Sequence, residues 1–290
     1  KGAHSNVYNS EKGDILVNLS KAVANVTVAG ITNKFQDHSS DVANHGDITV
    51  KGNYDGSLYV TGFCYAANNY TRARHGNTGN FLVDAKIGGT LCMGGMYCYG
   101  QYGGTFTECF NTGNYTISEN TEIGKGAYIG GMIGYFNATY ATYAYKNCYN
   151  SGNSSFKGKA GISTEEVADT NYNKENTICL GGFAAQIRND GTKNLNITDG
   201  FRNSGKIEFT GSNPTGPVFI GGLVGDMARP SSSWTGEIVN TGDIIFTGSS
   251  KSDSYAGGIF GRTTVGVTNA TSHCKVDAQG VIGSGHITGT

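Results

Sequence analysis

The sequence is poor in proline, in charged residues and in long apolar runs. Only 3 of its 290 residues are proline, and charged residues make up 15% of the chain, against about 25% in a typical globular domain. The scarcity of proline excludes collagen-like and proline-rich linker structures. No apolar run approaches the roughly 20 residues that a membrane-spanning helix needs, so we expect no transmembrane segment.

The sequence also lacks a concentration of positive charge and any recognisable metal or redox motif. Its net charge is −1, and no block of lysine and arginine could neutralise a run of phosphates, so we expect no nucleic-acid partner. The 7 cysteines include no Cys-x-x-Cys pair, and the 6 histidines show no spacing typical of a metal pair. We therefore expect neither a metal nor a cofactor.

Glycine, in contrast, is abundant, and much of it belongs to a repeat. The motif Asn-x-Gly recurs along the chain and is followed by apolar residues at alternating positions. In the first clear copy, Ile48 and Val50 alternate with polar residues, which is typical of a half-buried strand. The motif begins at Asn44, Asn77, Asn111, Asn150, Asn203 and Asn240, and a degenerate copy lies at residues 11–17.

Each motif is followed by a Gly-Gly pair or a variant of it, as at Thr61, with apolar residues on both sides. Strict alternation does not explain apolar residues on both sides. We therefore expect a bulge or a close backbone approach at the pair, or a cover over the outer set of side chains. A third, weaker strand precedes each new Asn. The clear pairs lie within residues 91–100, 128–135, 179–186, 219–226 and 255–262.

This pattern predicts an all-β fold, a right-handed parallel β-helix (β-solenoid) of about seven rungs with three short strands per rung. Residues 1–43 fit the repeat least well and are expected to form an N-terminal cap and a degenerate first rung. Residues 44–290 are expected to form one continuous repeat solenoid. The stacked Asn side chains should bond turn backbones from rung to rung. Cys109 and Cys148, equivalent in neighbouring rungs, should be buried thiols that act as small apolar side chains.

The repeat resembles a known family. Residues 221–225 (GGLVG) and 240–242 (NTG) are similar to the GLUG repeat of bacterial, Bacteroidetes-like, surface or secreted β-solenoid proteins, and the resemblance covers about residues 44–280. Thr61 and Cys98 depart from the pattern where it has glycine. The resemblance implies a secreted or surface-anchored, adhesin-like protein. It transfers no catalytic residue.

The sequence offers one candidate binding surface, the aromatic loops that follow the Gly-Gly pairs. Exposed Tyr and Trp rings are favoured binding anchors, and two arginines add hydrogen-bond donors. The alternative is that these loops fold back and their rings cover the coil's own core. The candidate ligand-binding residues are Tyr99, Tyr102, Tyr135, Tyr140, Tyr143, Trp234, Arg72 and Arg74.

No catalytic set emerges from the acidic residues. Asp14, Asp47 and Asp243 share the outward position after the motif Gly, but asparagines and a lysine separate the latter two. Glu165 and Glu166 lie in an insertion, where clustered acids are usually solvated. We therefore predict no catalytic residue and no enzyme activity.

These observations favour an extracellular, surface-displayed, adhesin-like binding solenoid whose ligand is a glycan or a cell-surface protein. Lipid anchoring to the outer membrane is one way in which such a protein would be displayed. One alternative is a structural accessory lipoprotein subunit of an outer-membrane uptake complex. Another is a secreted β-helix polysaccharide lyase or hydrolase. The chain begins at Lys1 without a signal-like segment, so any export signal is expected outside this sequence. It ends at Thr290 after a partial rung, where we expect a further domain or a partner.

Overall fold

The structure is a computed structural model, and it describes most of the chain. The residues outside the description are 1–3, 21–24, 36, 68–69, 101–102, 138–142, 164–175, 189–194, 198–199, 229–231, 235–236, 252, 264–269, 273–275, 279–280, 283–286 and 290. The described residues contain 39 strands and no helix. None of their elements is therefore a helix long and apolar enough to cross a membrane.

Every described strand pairing is parallel, and successive turns of the chain stack to form four sheets, here named A to D in the order in which the chain meets them. Parallel stacking of successive turns confirms the predicted parallel β-solenoid. Sheet A has 12 strands: β1 (His4–Asn9), β5 (Ser39–Asn44), β9 (Tyr70–Asn77), β13 (Gly104–Thr107), β14 (Phe110–Asn111), β19 (Tyr143–Lys146), β20 (Cys148–Asn150), β24 (Leu195–Ile197), β25 (Phe201–Asn203), β30 (Ser232–Trp234), β31 (Ile238–Asn240) and β36 (Ala270–Ser272).

Sheet B follows the Asn-x-Gly motif and has 9 strands: β2 (Ile15–Leu19), β6 (Ile48–Tyr54), β10 (Phe81–Ile87), β15 (Tyr115–Ile117), β16 (Glu122–Ile123), β21 (Ser154–Phe156), β26 (Ile207–Phe209), β32 (Ile244–Phe246) and β37 (Val276–Ala278). A small sheet of 3 strands flanks it: β27 (Ser212–Asn213), β33 (Ser249–Ser250) and β38 (Val281–Ile282).

Sheets C and D lie before and after the Gly-Gly pair. Sheet C has 8 strands: β3 (Val26–Ala29), β7 (Leu58–Thr61), β11 (Leu91–Gly94), β17 (Ala127–Gly130), β22 (Ile178–Gly181), β28 (Val218–Gly221), β34 (Ser254–Gly257) and β39 (Ile287–Gly289). Sheet D has 7: β4 (Thr32–Phe35), β8 (Cys64–Ala67), β12 (Tyr97–Gly100), β18 (Ile133–Asn137), β23 (Ala184–Arg188), β29 (Val224–Ala228) and β35 (Phe260–Thr263).

Three apolar clusters fill the space between the sheets. Inward residues of sheets B and C, such as Ile48 and Leu58, form the first. Residues of sheets D and A, such as Tyr97 and Phe106, form the second. The third lies between sheets C and D and includes Cys92. Both sides of the Gly-Gly pair are therefore apolar because their side chains enter three clusters rather than one.

The Gly-Gly pair is a tight corner, and the predicted close backbone approach there is confirmed. Gly94 ends strand β11, and Gly95 lies in the bend before Tyr97. A Cβ atom on Gly95 would lie 2.6 Å from the Gly131 carbonyl oxygen and 2.7 Å from Oδ1 of Asn111. Only a residue without a side chain can lie this close to the next turn and to the Asn ladder.

The predicted asparagine ladder is confirmed and extends one turn further than the motif copies. In each ladder Asn, Nδ2 donates to Oδ1 of the Asn in the next turn, over 2.7 to 2.8 Å. In the Asn-x-Gly copies, the same Nδ2 also donates to the carbonyl of the motif Gly, as Asn44 does to Gly46 and Asn77 to Gly79. The ladder begins in the first turn, whose strands β1 to β4 pair in register with β5 to β8. Its members are Asn9, Asn44, Asn77, Asn111, Asn150, Asn203 and Asn240.

Candidate functional site

Two rings of the predicted aromatic edge pack against the coil. Tyr135 is fully buried, and Tyr99 is partly buried. Their rings stack with centroids 5.4 Å apart, and Tyr65 stacks on the other side of Tyr99 at 6.3 Å. For Tyr99 and Tyr135 the structure therefore favours the alternative, in which these rings cover the core between sheets C and D.

Four further members of that edge lie wholly or partly outside the described residues. Tyr102 and Tyr140 fall outside the described residues. Tyr143 and Trp234 lie in strands β19 and β30, where their backbone is described but their side chains are not.

The two predicted arginines have opposite environments. Arg72 is fully buried in the second cluster, where its guanidinium lies 5.8 Å from the ring centroid of Tyr97 and 5.6 Å from that of Phe106. It therefore presents no donor to the surface. Arg74 is exposed and forms a two-point ion pair with Asp41, at 2.6 and 2.8 Å. The Arg74 guanidinium lowers the pKa of the Asp41 carboxyl.

A different surface lies where sheet A turns towards sheet B. Three residues before each ladder Asn from Asn9 to Asn203, the backbone adopts a positive φ, as at Glu108 (56°), Asn147 (49°) and Gly200 (94°). A left-handed residue in an otherwise extended strand produces a sharp bend. Its recurrence on successive turns gives the solenoid a continuous bent edge.

The residue directly before each motif Asn points out of the solenoid at this edge. In β20 and β25 these residues are exposed, whereas their neighbours on either side are buried. We call this row of in-register residues the outer strip. Its members are Tyr8, Ala43, Gly76, Phe110, Tyr149, Arg202 and Val239.

The composition of the outer strip changes from turn to turn, unlike that of the Asn ladder beside it. The Phe110 ring lies over Gly76, where a Cβ atom would meet it. Tyr149 stacks on Phe110 with ring centroids 5.6 Å apart, yet it keeps 42% of its surface exposed. One face of Tyr149 is therefore supported by the protein, while much of the side chain remains available to a ligand.

Next to Tyr149 the surface opens into a groove of about 820 Å³, lined by residues from 147–150, 200–204 and 237–241. Its bent edge carries Asn147 and Glu237 in the outer two turns, but Gly200 in the middle turn. The missing side chain at Gly200 leaves space between its neighbours. Below the groove Asn150 donates to Asn203 over 2.7 Å, and Asn203 donates to Asn240 over 2.7 Å, so the ladder joins the three turns.

The groove combines an aromatic face with an ion pair. Nη2 of Arg202 lies 3.4 Å from Oε2 of Glu237, and the two side chains keep 74% and 67% of their surface exposed. Such an exposed pair contributes little to stability. It does place charged donors and acceptors side by side, and Ser204 and Thr241 also line the groove.

The cysteines and the metal-ligating side chains form no second candidate ligand-binding or metal site among the described residues. Six cysteines are free and buried, Cys109 and Cys148 among them, as predicted, and Cys274 lies outside the description. Burial raises the pKa of the Cys109 thiol, so it stays protonated. Among the described residues, no group of three His, Cys, Asp or Glu side chains could hold a metal ion.

The outward acids of sheet B are engaged in backbone bonds between turns. Oδ1 of Asp14 accepts the N–H of Asp47 at 3.0 Å, and Oδ1 of Asp47 accepts the N–H of Asn80 at 2.7 Å. They therefore form a second, exposed ladder with the asparagines of the following turns. Glu165 and Glu166 lie outside the described residues.

Sequence reasoning missed Tyr149, Arg202 and Glu237 because it placed the variable residues only in the loops after Gly-Gly. A signal was present. The residue before the motif Asn changes from Gly through Phe, Tyr and Arg to Val along the chain, whereas the Asn and Gly on either side of it recur. Such variation at one repeat position indicates an outward row that packing does not constrain.

Comparison of the chain with protein-family models, curated proteins and solved structures finds no match. The resemblance to the GLUG repeat therefore rests on its sequence motifs alone.

Proposed function

We propose that this protein is an extracellular, surface-displayed binding solenoid, similar to GLUG-repeat proteins, and that its groove binds a glycan. The observation that carries the proposal is the Tyr149 ring, supported behind by Phe110 and bordered by the exposed pair of Arg202 and Glu237. A sugar ring presents apolar C–H faces to an aromatic ring and hydroxyl groups at its edge. Tyr149 suits the first, and the ion pair suits the second.

The groove's charge favours a neutral sugar over an acidic one. Arg202 and Glu237 cancel in net charge, and together they offer donors and acceptors to hydroxyl groups, which both donate and accept. A uronic acid carboxylate would compete with Glu237 for Arg202 and would meet the Glu237 charge. The groove volume of about 820 Å³ lies in the usual range for small-molecule sites, about 300 to 1,000 Å³.

Binding rather than cleavage fits the same groove. Glycoside hydrolysis ordinarily needs two carboxyl groups that flank the bond. Among the described residues that line the groove, Glu237 is the one carboxylate, and it is paired with Arg202. We therefore propose that the groove binds a glycan without cleaving it.

A glycan array followed by calorimetric titration tests the proposal. We expect binding to neutral oligosaccharides, and weaker or no binding to uronic acid polymers of the same length. Tyr149→Ala should weaken binding by roughly tenfold, because loss of a stacked aromatic anchor costs about 1.4 kcal/mol.

Tyr8→Ala is the matched control, since Tyr8 is a tyrosine on the same outer strip, 54% exposed, that lies outside the groove. We expect its affinity to equal that of the unmodified protein. Absence of binding to every neutral glycan, or equal losses in both variants, would refute the proposal.

A further inference from the structure

Two cysteines meet at the Gly-Gly corner of one turn. Cys92 lies in strand β11 and Cys98 in strand β12, on either side of Gly95. Both side chains are completely buried, and both belong to the apolar cluster between sheets C and D. Since the corner folds these two sheets towards each other, residues at equal distances from it face one another.

The neighbouring turns show that these two rows of residues are in contact and that the space between them is narrow. In the turn before, Tyr59 and Tyr65 occupy the two rows, and their rings meet edge to face with centroids 4.9 Å apart. In the turn after, the row of Cys98 has Gly134, where a Cβ atom would collide with Sγ of Cys92. The row of Cys98 continues with small residues, Ala185, Gly225 and Gly261. Cys98 is therefore a second side chain in a space that later turns leave mainly to one.

The two cysteines reach across the corner to each other. Sγ of Cys92 lies 3.2 Å from the carbonyl oxygen of Cys98, and Sγ of Cys98 lies 3.3 Å from the carbonyl oxygen of Cys92. Burial, and then a hydrogen bond with the Cys92 thiol, raises the pKa of the Cys98 thiol. Each sulfur atom is therefore held beside the other residue, and Cys98 stays protonated once the corner has formed.

A second pair of cysteines provides a contrast. Cys109 and Cys148 occupy equivalent positions in neighbouring turns, directly before the paired residues Phe110 and Tyr149. In-register residues of parallel strands direct their Cβ atoms the same way, about 4.8 Å apart, whereas the Cβ atoms of a disulfide lie about 3.8 Å apart. The cysteines of the corner instead belong to two facing strands, so their side chains point towards one another.

We infer that Cys92 and Cys98 form a disulfide across the Gly-Gly corner when the chain folds in the presence of a small disulfide oxidant, such as glutathione disulfide. The thiolate of one cysteine attacks the oxidant and releases one glutathione thiol. The thiolate of the other cysteine then attacks the mixed disulfide and releases the second. The protein loses two protons and two electrons and gains an S–S bond, while the oxidant gains them and loses its own.

The structure shows both cysteines as thiols, which is the reduced form of this corner. Because both are buried once the corner has formed, the exchange takes place while the chain folds. The disulfide closes a short loop around Gly94 and Gly95 and joins sheets C and D covalently. Neither cysteine lines the groove, so this inference is independent of the proposed function.

Cyanogen bromide cleavage tests the inference, because Met93 and Met96 lie between the two cysteines. Cleavage after each methionine separates residues 1–93 from residues 97–132, which then stay joined only through a disulfide. The reduced, unfolded chain is refolded with glutathione disulfide, its remaining thiols are alkylated, and it is cleaved in acid, where thiol–disulfide exchange is suppressed. By mass spectrometry we expect one species that contains both fragments, and their complete separation after reduction.

Cys98→Gly is the key variant, because glycine occupies this position in three later turns and should leave the fold intact. Its two fragments should separate without reductant. Cys109→Ala is the matched control, since it removes the other cysteine of the same fragment, and its fragments should remain joined. Circular dichroism of each refolded chain checks that the solenoid is intact.

Urea unfolding gives a second readout. Reductant should lower the urea midpoint of the oxidised, unmodified protein and leave that of Cys98→Gly unchanged, because a disulfide restricts the unfolded chain. Fragments that separate in the refolded, unmodified protein, fragments that remain joined in Cys98→Gly, or equal effects of reductant on both proteins would overturn the inference.

Discussion

Removing one rung of the asparagine ladder should destabilise the solenoid out of proportion to the size of the side chain. Nδ2 of Asn111 donates to the Gly113 carbonyl at 3.0 Å and to Oδ1 of Asn150 at 2.7 Å, and its Oδ1 accepts from Asn77 at 2.8 Å. All three ladder side chains are buried. Asn111→Ala breaks three hydrogen bonds of about 1 kcal/mol each and leaves the Asn150 acceptor without a donor. We expect a loss of about 3 to 4 kcal/mol in the free energy of unfolding.

Asn111→Asp should be at least as damaging near neutral pH, although it preserves size and shape. The new carboxylate still accepts the hydrogen bond from Asn77. Its second oxygen, however, replaces the Nδ2 donor and faces two acceptors, the Gly113 carbonyl and Oδ1 of Asn150, in a buried site. Burial and these acceptors raise the pKa of the introduced carboxyl above its unfolded value of about 3.9. The protonated form can donate one bond. The variant's deficit is therefore smallest below about pH 4 and grows as pH rises through the folded pKa.

Urea unfolding followed by circular dichroism, at about pH 3 and about pH 7, measures both effects relative to the unmodified protein at the same pH. Asn114→Asp is the control, because Asn114 occupies an exposed row in which this chain itself has Asp14 and Asp47. We expect its change to stay within about 0.5 kcal/mol. An Asn111→Ala loss as small as that of Asn114→Asp would refute the view that the ladder holds the turns together.

Two further predictions concern the corner and the second core. Gly131→Ala places a Cβ atom against the Gly182 carbonyl and the Asn150 side chain, so it should lower the free energy of unfolding by about 3 kcal/mol. An unchanged urea midpoint would contradict the close backbone approach at the corner. Burial, and secondarily the nearby Arg72 charge, lowers the pKa of His75 to about 3 from 6.5. Protons then bind the unfolded chain preferentially between these values, so stability should fall as pH decreases through that window. His75→Phe should make the free energy of unfolding less dependent on pH in that window. If the variant lost stability with falling pH as steeply as the unmodified protein, the reasoning would be wrong.

The parts of this fold that repeat in the sequence are those that the sequence predicts well. Ile48 and Val50 alternate, and their two rows are buried from the second turn as far as Ile244 and Phe246. Asn111 recurs because its side chain bonds to the turn of its own rung and to the next rung, a contact between equivalent residues that periodicity alone can indicate. The Gly-Gly corner was only half predicted. Close approach follows from glycine, but the sequence does not say that Gly95 meets the Asn ladder, since that contact joins opposite sides of a turn.

The candidate site was harder to predict than the repeat, because exposure of a side chain depends on contacts that the repeat spacing does not encode. Spacing places Tyr135 and Tyr149 on known turns, but it does not determine which faces solvent. Tyr135 is buried because sheets C and D fold together at the Gly-Gly corner. Tyr149 is exposed at a bend where Asn147 adopts a positive φ. Both outcomes depend on local backbone direction, which a repeat pattern does not encode.

The most direct test of the groove is hydrogen exchange mass spectrometry, with and without a saturating neutral oligosaccharide selected on the array. The account predicts slower exchange confined to residues 147–151, 200–204 and 237–241, and unchanged exchange at Tyr8. Protection concentrated instead in the loops after the Gly-Gly pairs, or absent from all three segments, would contradict it.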